Sequence, residues 1–238
     1  MYGYGYYYGG PGWTYILMIA AAIASFICSS KVKSTFNKYS KVLASSGYTG
    51  AQVAQMILKK EGIYDVKVER VAGSLTDNFN PTSKTVNLSE PVYGSNSVAA
   101  IGVAAHECGH AMQHNEDYTP LKFRSALVPV ANLGSKLGIP IILVGFFISF
   151  LQPLVTIGIL IFSASVLFQI VTLPVEFDAS RRALATIREM GIVNDSELAG
   201  SKAVLKSAAM TYVAAAASSI VSLIRLIAVY GGRRGRRR

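Results

Sequence analysis

The chain has 238 residues, of which 51% are hydrophobic, with a mean hydropathy of +0.38 and a formal net charge of +10. That apolar content is high for a water-soluble domain and comes in long blocks, so the composition points to a membrane protein. Five arginines after Gly232 carry much of the positive excess, and no aromatic-basic motif accompanies it, which favours contact with anionic lipid and excludes a nucleic-acid partner.

Residues 1–12 form a low-complexity Tyr/Gly-rich tail. Residues 13–30 follow without a charge, close to the roughly 20 needed to cross a bilayer, and Trp13 and Tyr15 suit its interface. No basic segment precedes this first span, which argues for a retained anchor against a cleaved signal peptide. Lys31, Lys33, Lys38 and Lys41 come next, whereas no Lys or Arg precedes Tyr15. Positive-inside reasoning therefore places the N-terminus outside and segment 31–125 in the cytosol.

Segment 31–125 is the main water-soluble stretch, and its pattern is mixed α and β. Thr49 can cap a helix whose Val53, Met56, Ile57 and Lys60 spacing ends at Gly62. Val66 and Val68 begin a strand, and Lys84-Thr85-Val86-Asn87-Leu88 forms a second after the Asn80-Pro81 turn. The second strand is either an edge beside the active site, able to pair with an extended peptide, or part of an ordinary hairpin.

All three histidines fall within nine positions, and two frame His106-Glu107-Cys108-Gly109-His110, an H-E-x-x-H motif. Residues four apart lie one turn up the same helix face, so two imidazoles can grip one ion while Glu107 holds a water beside it. Small residues from Val98 lead into the motif, and Asn96 or Ser97 can cap a helix running to about Gln113 or His114. Cys108 lies on the face turned away from the histidines, and Cys28 falls in the first span, so neither reads as a ligand or a disulfide partner.

A catalytic zinc takes three protein ligands and keeps one position open. His114 is too far along the same helix to complete the set, and Gln113 and Glu116 break the extended H-E-x-x-H-x-x-G-x-x-H pattern. A distant carboxylate must serve. Glu176 follows a long apolar run and Pro174, a residue suited to a helix start. From a second helix it would face the first, although a helix-start carboxylate favoured by the dipole would look the same. Asp178, two residues on, points elsewhere.

The downstream spans are 133–151, which carries Lys136, and 154–175, which is uncharged, with Gln152-Pro153 as the turn between them. This hairpin returns residues 176–206, the segment bearing Glu176, Arg181, Arg182 and Arg188, to the cytosolic side. Residues 208–230 are long enough to span, yet Thr211, Ser218, Ser222 and Arg225 form a polar stripe that suits packing against protein or lying in the interface. Both readings are open, and a basic tail, 231–238, ends the chain.

Several sequence blocks in this order resemble the YugP-like membrane zinc metallopeptidases, which are more distantly similar to HtpX-like and CAAX-prenyl proteases. They are Trp13-Thr14-Tyr15-Ile16-Leu17, residues 75–81, Val103 through Ala111, Thr172 through Ser180, and residues 211–216. The resemblance implies that His106, His110 and Glu176 bind one zinc ion per chain and that Glu107 is catalytic. Better-known relatives carry Glu-x-x-x-Asp, whose Asp orients a liganding histidine, whereas Ser180 stands at that position here. Either its hydroxyl does a weaker version of that task or another group supplies the charge.

The expected fold is a mainly α, multi-pass membrane protein with a small α+β cytosolic part and a zincin-type active-site helix. The expected function is zinc-dependent hydrolysis of membrane or membrane-associated polypeptides, with Glu107 as the general base on a water at the ion. Tyr212, Arg181 and His114 are the candidate oxyanion donors. One alternative is an intramembrane site-2-type protease, which the lack of an Asp in the apolar blocks disfavours. Another is a zinc-binding membrane scaffold without hydrolytic activity, which would have no need of Glu107.

Overall fold

The computed structural model describes residues 12–151 and 153–230. The Tyr/Gly-rich tail up to residue 11, Gln152 of the expected turn, and the arginine tail 231–238 lie outside the described residues. Helices dominate: α1 (Gly12–Tyr39), α2 (Gly50–Lys60), α3 (Glu90–Tyr93), α4 (Val98–Asn115), α5 (Thr119–Phe147), α6 (Pro153–Glu189) and α7 (Asp195–Tyr230). A single three-stranded sheet holds β1 (Lys67–Val71), β2 (Asn78–Asn80) and β3 (Thr85–Ser89). Four helices, Gly12–Tyr39, Thr119–Phe147, Pro153–Glu189 and Asp195–Val229, are long and apolar enough to cross a membrane.

The described residues fall into two compact units. One comprises residues 12–27, Phe123–Thr172 and 212–230, and is built from parts of α1, α5, α6 and α7. Small residues let its helices touch. A Cβ on Gly134 would meet the Ile161 carbonyl oxygen at 2.3 Å, and one on Gly138 would meet Phe162 at 3.1 Å. These glycines are four apart, so α5 offers one smooth stripe to α6, as close contact between apolar helices demands. The Ser165 hydroxyl donates to the Ala131 carbonyl across the same seam at 2.9 Å.

The polar stripe of α7 meets α1 in this unit. Ser218 and Ser25 share a hydrogen bond at 3.0 Å, and Arg225 donates to the Thr14 hydroxyl at 2.8 Å with its guanidinium 3.7 Å from the centre of the Tyr15 ring. Residue 14 thus pairs with 225 and residue 25 with 218, so the two helices run antiparallel. A stripe that packs on protein and a helix long enough to span are one and the same segment.

The second unit, Cys28–Lys122 with Leu173–Thr211, holds the sheet and a hydrophobic core around Val53, Ile57, Val86, Leu88, Val92, Ile101 and Ile187. Thr49 and Gln52 form a reciprocal capping box on α2, and Gly62 takes the left-handed conformation, φ +70°, just past its end. Ser97 caps α4 by accepting from the Ala100 amide at 3.2 Å. On α7, the Asn194 side chain accepts from the Ser196 and Glu197 amides while the Glu197 carboxylate accepts from the Asn194 amide at 2.9 Å.

Several expected boundaries shift. Pro174 lies inside α6 and starts no helix, so the 154–175 span and the segment carrying Glu176 form one 37-residue helix. A proline costs one backbone hydrogen bond, and apolar surroundings tolerate that more readily than a chain break, which exposes many. The 133–151 span belongs to α5, which begins at Thr119, contains Pro129 and Pro140, and gives way to a short 3-10 turn at Ser149–Leu151. Likewise, 208–230 is the far part of α7, because the Asn194–Glu197 box starts that helix at Asp195. The strand read as either an edge or part of an ordinary hairpin, β3, is central: β1 pairs with it in parallel and β2 in antiparallel. Its Val86 and Leu88 are fully buried, which is the more stable place for them.

The contact of α4 with α6 is tight at one point. A Cβ on Gly109 would lie 2.5 Å from the Ala179 carbonyl oxygen, which is backbone and cannot swing aside. Gly109→Ala is therefore expected to force the two helices apart and to lower stability by about 1–3 kcal/mol, measured as a drop in the thermal unfolding midpoint of detergent-purified protein. An unchanged midpoint would show that the contact is loose.

Candidate metal centre

The 18-residue helix α4 presents His106 and His110 one turn apart, with ring centroids 4.8 Å from each other and planes at 81°. Glu176 arrives from α6. Its Oε2 lies 3.4 Å from Nε2 of His106 and 3.6 Å from Nε2 of His110, and the candidate ligand atoms of all three residues fall within 4.8 Å of one another. These three form the group that could hold an ion among the described residues. All belong to the second unit.

The spacing can be tested against the chemistry. Direct hydrogen bonds would bring the nitrogen and oxygen atoms to roughly 2.7–3.2 Å, closer than the separations found here. Four ligands at roughly 2.0–2.2 Å from a tetrahedral ion would instead stand about 3.3–3.6 Å apart. The two nitrogen–oxygen distances match that edge length. Two imidazoles and one carboxylate are also a donor set that zinc accepts, with a fourth position left for water. The residues therefore fit the ion that the motif implies.

The local field also favours a cation. Burial alone would pull the His110 imidazole down, but Glu176 and Glu107 outweigh it and hold that ring above its ordinary range. Glu107 is 7% exposed and lies between the two histidines in sequence. Burial pushes its carboxyl above the ordinary carboxylate range, and the two imidazoles offset only part of that rise. A carboxylate whose proton affinity is raised in this way is better matched to receiving a proton from water near neutrality.

Around the three residues, the ring nitrogens facing away from the centre are also engaged. His106 Nδ1 lies 3.1 Å from the Ser180 hydroxyl, so the residue standing at the fourth position after Glu176 does reach a histidine. His110 Nδ1 lies 3.1 Å from Oε1 of Gln113, one turn along α4. The Gln113 amide in turn donates to the Val175 carbonyl and to Asp178. Asp178 stands outside the three-residue group, as its two-residue offset from Glu176 suggested, yet Gln113 connects it to His110. At a 100° turn per residue, 176 and 178 are far apart on the helix surface, but an intervening glutamine spans the gap. Sequence reading missed Gln113 as a contributor, although its i+3 spacing from His110 was the available signal.

Other candidates are placed elsewhere. The His114 ring packs edge-on against Phe79 of β2, with centroids 5.7 Å apart, outside the three-residue group. Arg181 pairs with Asp178. The Cys108 thiol faces the Ala54 carbonyl at 3.6 Å and burial pushes it well above its ordinary range, so it remains a protonated core group.

Removing the partner of His106 gives a direct test. Ser180→Ala is expected to weaken zinc binding by roughly 10-fold, the low end for losing a group that orients a liganding histidine, because a neutral hydroxyl orients less strongly than a carboxylate. Ser180→Asp is expected to retain or raise the affinity. Competition against a chromogenic chelator measures both, and a Ser180→Ala variant indistinguishable from wild type would remove Ser180 from the site.

Comparison with known proteins gives the family. The family model described as "Putative neutral zinc metallopeptidase" matches residues 14–231. A protein of Bacillus subtilis (strain 168), "Putative membrane protease YugP", is 49% identical over 214 residues, covering 90% of this chain and 95% of that protein. No solved structure matches. With a model that spans nearly the whole chain and a relative aligned over almost its full length, the chain belongs to this neutral zinc metallopeptidase family.

Proposed function

We propose that the protein is a membrane-bound zinc metallopeptidase that hydrolyses peptide bonds of membrane or membrane-associated polypeptides. One observation carries the reading: two imidazoles one helical turn apart and a carboxylate from a second helix bring their ligand atoms within 4.8 Å of one another beside a buried glutamate. The family description and the name of the Bacillus relative support a zinc protease at a membrane.

His106, His110 and Glu176 would hold one zinc ion in a zincin-type arrangement. When bound, zinc supplies Lewis acidity, making a water easier to deprotonate and a peptide carbonyl easier to attack. Glu107 orients that water and accepts its proton, then returns the proton to the departing amine. Its burial keeps bulk water from competing for the same carboxyl and raises its affinity for the proton in transit. Gln113 and Ser180 hold the two histidines in place from behind.

Orientation in the cell membrane follows from charge. Lys31, Lys33, Lys38 and Lys41 end the first apolar run, and Arg181, Arg182 and Arg188 follow the apolar part of α6, so the catalytic unit is assigned to the cytosol. The antiparallel pairing of α1 with α7 puts residues 12 and 230 at the same end of that pair. The tail arginines pull the other way, and the first span usually dominates such a contest.

Glu107→Gln is expected to keep zinc and to lose hydrolysis of casein or a membrane peptide by roughly 10²–10⁴-fold, the contribution of a general acid–base group. Cleavage at the wild-type rate by the zinc-loaded variant would refute the assignment. For orientation, Tyr64 is 81% exposed in the catalytic unit. In a Cys28→Ala background, Tyr64→Cys is expected to react with an impermeant maleimide only in sealed vesicles whose cytosolic face is outward. Reaction confined to the opposite vesicles would reverse the topology.

A further inference from the structure

We propose that Gln113 is a positioning residue that dictates which ring nitrogen of His110 carries its proton, and that Asp178 acts on the same histidine through it. The inference rests on the zinc reading above and adds the residue that prepares one ligand before the ion arrives.

The argument begins with an amide that has no choice of orientation. Gln113 is fully buried. Its side-chain nitrogen donates to the Val175 carbonyl at 2.8 Å and to Oδ2 of Asp178 at 3.0 Å. An amide NH2 has two protons, and both are used. Turning the amide over would set its oxygen against a carbonyl and a carboxylate, all acceptors, at a cost of two hydrogen bonds inside the protein. The oxygen is thus held toward His110, 3.1 Å from Nδ1. Only a protonated Nδ1 can donate to it. A neutral imidazole with its proton on Nδ1 carries its lone pair on Nε2, the atom that faces Glu176 at 3.6 Å.

Asp178 is held in turn. Arg182 donates to it at 2.6 Å and also to Glu116, just past the end of α4, at 2.7 Å, while Arg181 makes a further ion pair with Asp178. The directional chain therefore runs from Arg182 through Asp178 and Gln113 to His110 and ends on the lone pair aimed at the ion. It also links α4 to α6 at Val175, the residue before Glu176, so one side chain ties together two elements of the ligand set. His106 has no such constraint: the Ser180 hydroxyl can donate or accept, and it suits either tautomer.

The test uses the full chain in detergent with ¹⁵N-labelled histidine, first without metal. At a pH high enough to leave His110 neutral, wild type is expected to show it as the Nδ1–H tautomer, and Gln113→Leu is expected to lose that preference and to bind zinc roughly 10–100-fold more weakly. A second variant separates hydrogen bonding from packing. Gln113→Met fills a similar volume without an acceptor for Nδ1–H, and is expected to lose the tautomer preference and the zinc affinity as Gln113→Leu does.

At saturating zinc, kcat rather than KM is expected to change in Gln113→Leu, since Gln113 contacts no substrate. An Nε2–H tautomer in the wild type would overturn the proposal, as would wild-type zinc affinity in Gln113→Leu. Should Gln113→Leu fail to fold, the wild-type tautomer and Gln113→Met decide. Wild-type protein that binds no zinc would sink the zinc reading instead, while the metal-free tautomer would still judge Gln113.

Discussion

The contact between Gly109 and the Ala179 carbonyl governs the metal centre. Helices normally keep their axes about 8–10 Å apart because side chains fill the gap. Here one of the two helices has no side chain at the crossing, and α6 comes in until its backbone would touch a Cβ. That approach is what carries the Glu176 carboxylate to within 3.4–3.6 Å of two imidazoles on α4. The glycine inside the motif is therefore as much a determinant of the centre as the histidines that flank it.

Around that crossing, polar groups are arranged so that little is left to chance. Burying a carboxylate, two imidazoles and a further glutamate is costly unless each has a partner. Ser180 answers His106 and Gln113 answers His110. Asp178 supplies the negative charge behind Gln113 and is itself compensated by two arginines. A histidine pair so arranged combines one ring held in a single protonation pattern with another free to adapt. This division follows from the chemistry of an amide and a hydroxyl: the first has distinct donor and acceptor ends, and the second does not.

The apolar helices and the metal centre are linked through the covalent chain. Helix α6 has 37 residues, about 55 Å at 1.5 Å per residue, well beyond a hydrocarbon core of roughly 30 Å. Its first part is uncharged and contributes to the apolar unit, and its second part carries Glu176, Asp178 and Ser180 in the unit that holds the sheet. No loop interrupts the two parts, because Pro174 removes one amide without ending the helix. Helix α7 repeats the pattern, with Ser201 against Gly102 of α4 in one unit and Ser218 and Arg225 against α1 in the other.

What the chain's residues determined by themselves was local. Two histidines four apart share a helix face whatever surrounds them, Thr49 and Ser97 cap helices through groups three residues away, and uncharged runs of about twenty residues have the length of a bilayer. The family was legible too. Other features were decided only when distant segments met. Seventy-four positions separate Ser180 from His106, sixty-five separate Asp178 from Gln113, and the partners of the α7 stripe lie near the other end of the chain. The central place of β3 and the continuity of α6 through Pro174 belong to the same class. Periodicity reports which face a residue occupies on its own helix or strand, but what that face touches is set by the free energy of packing the whole unit, to which every other element contributes.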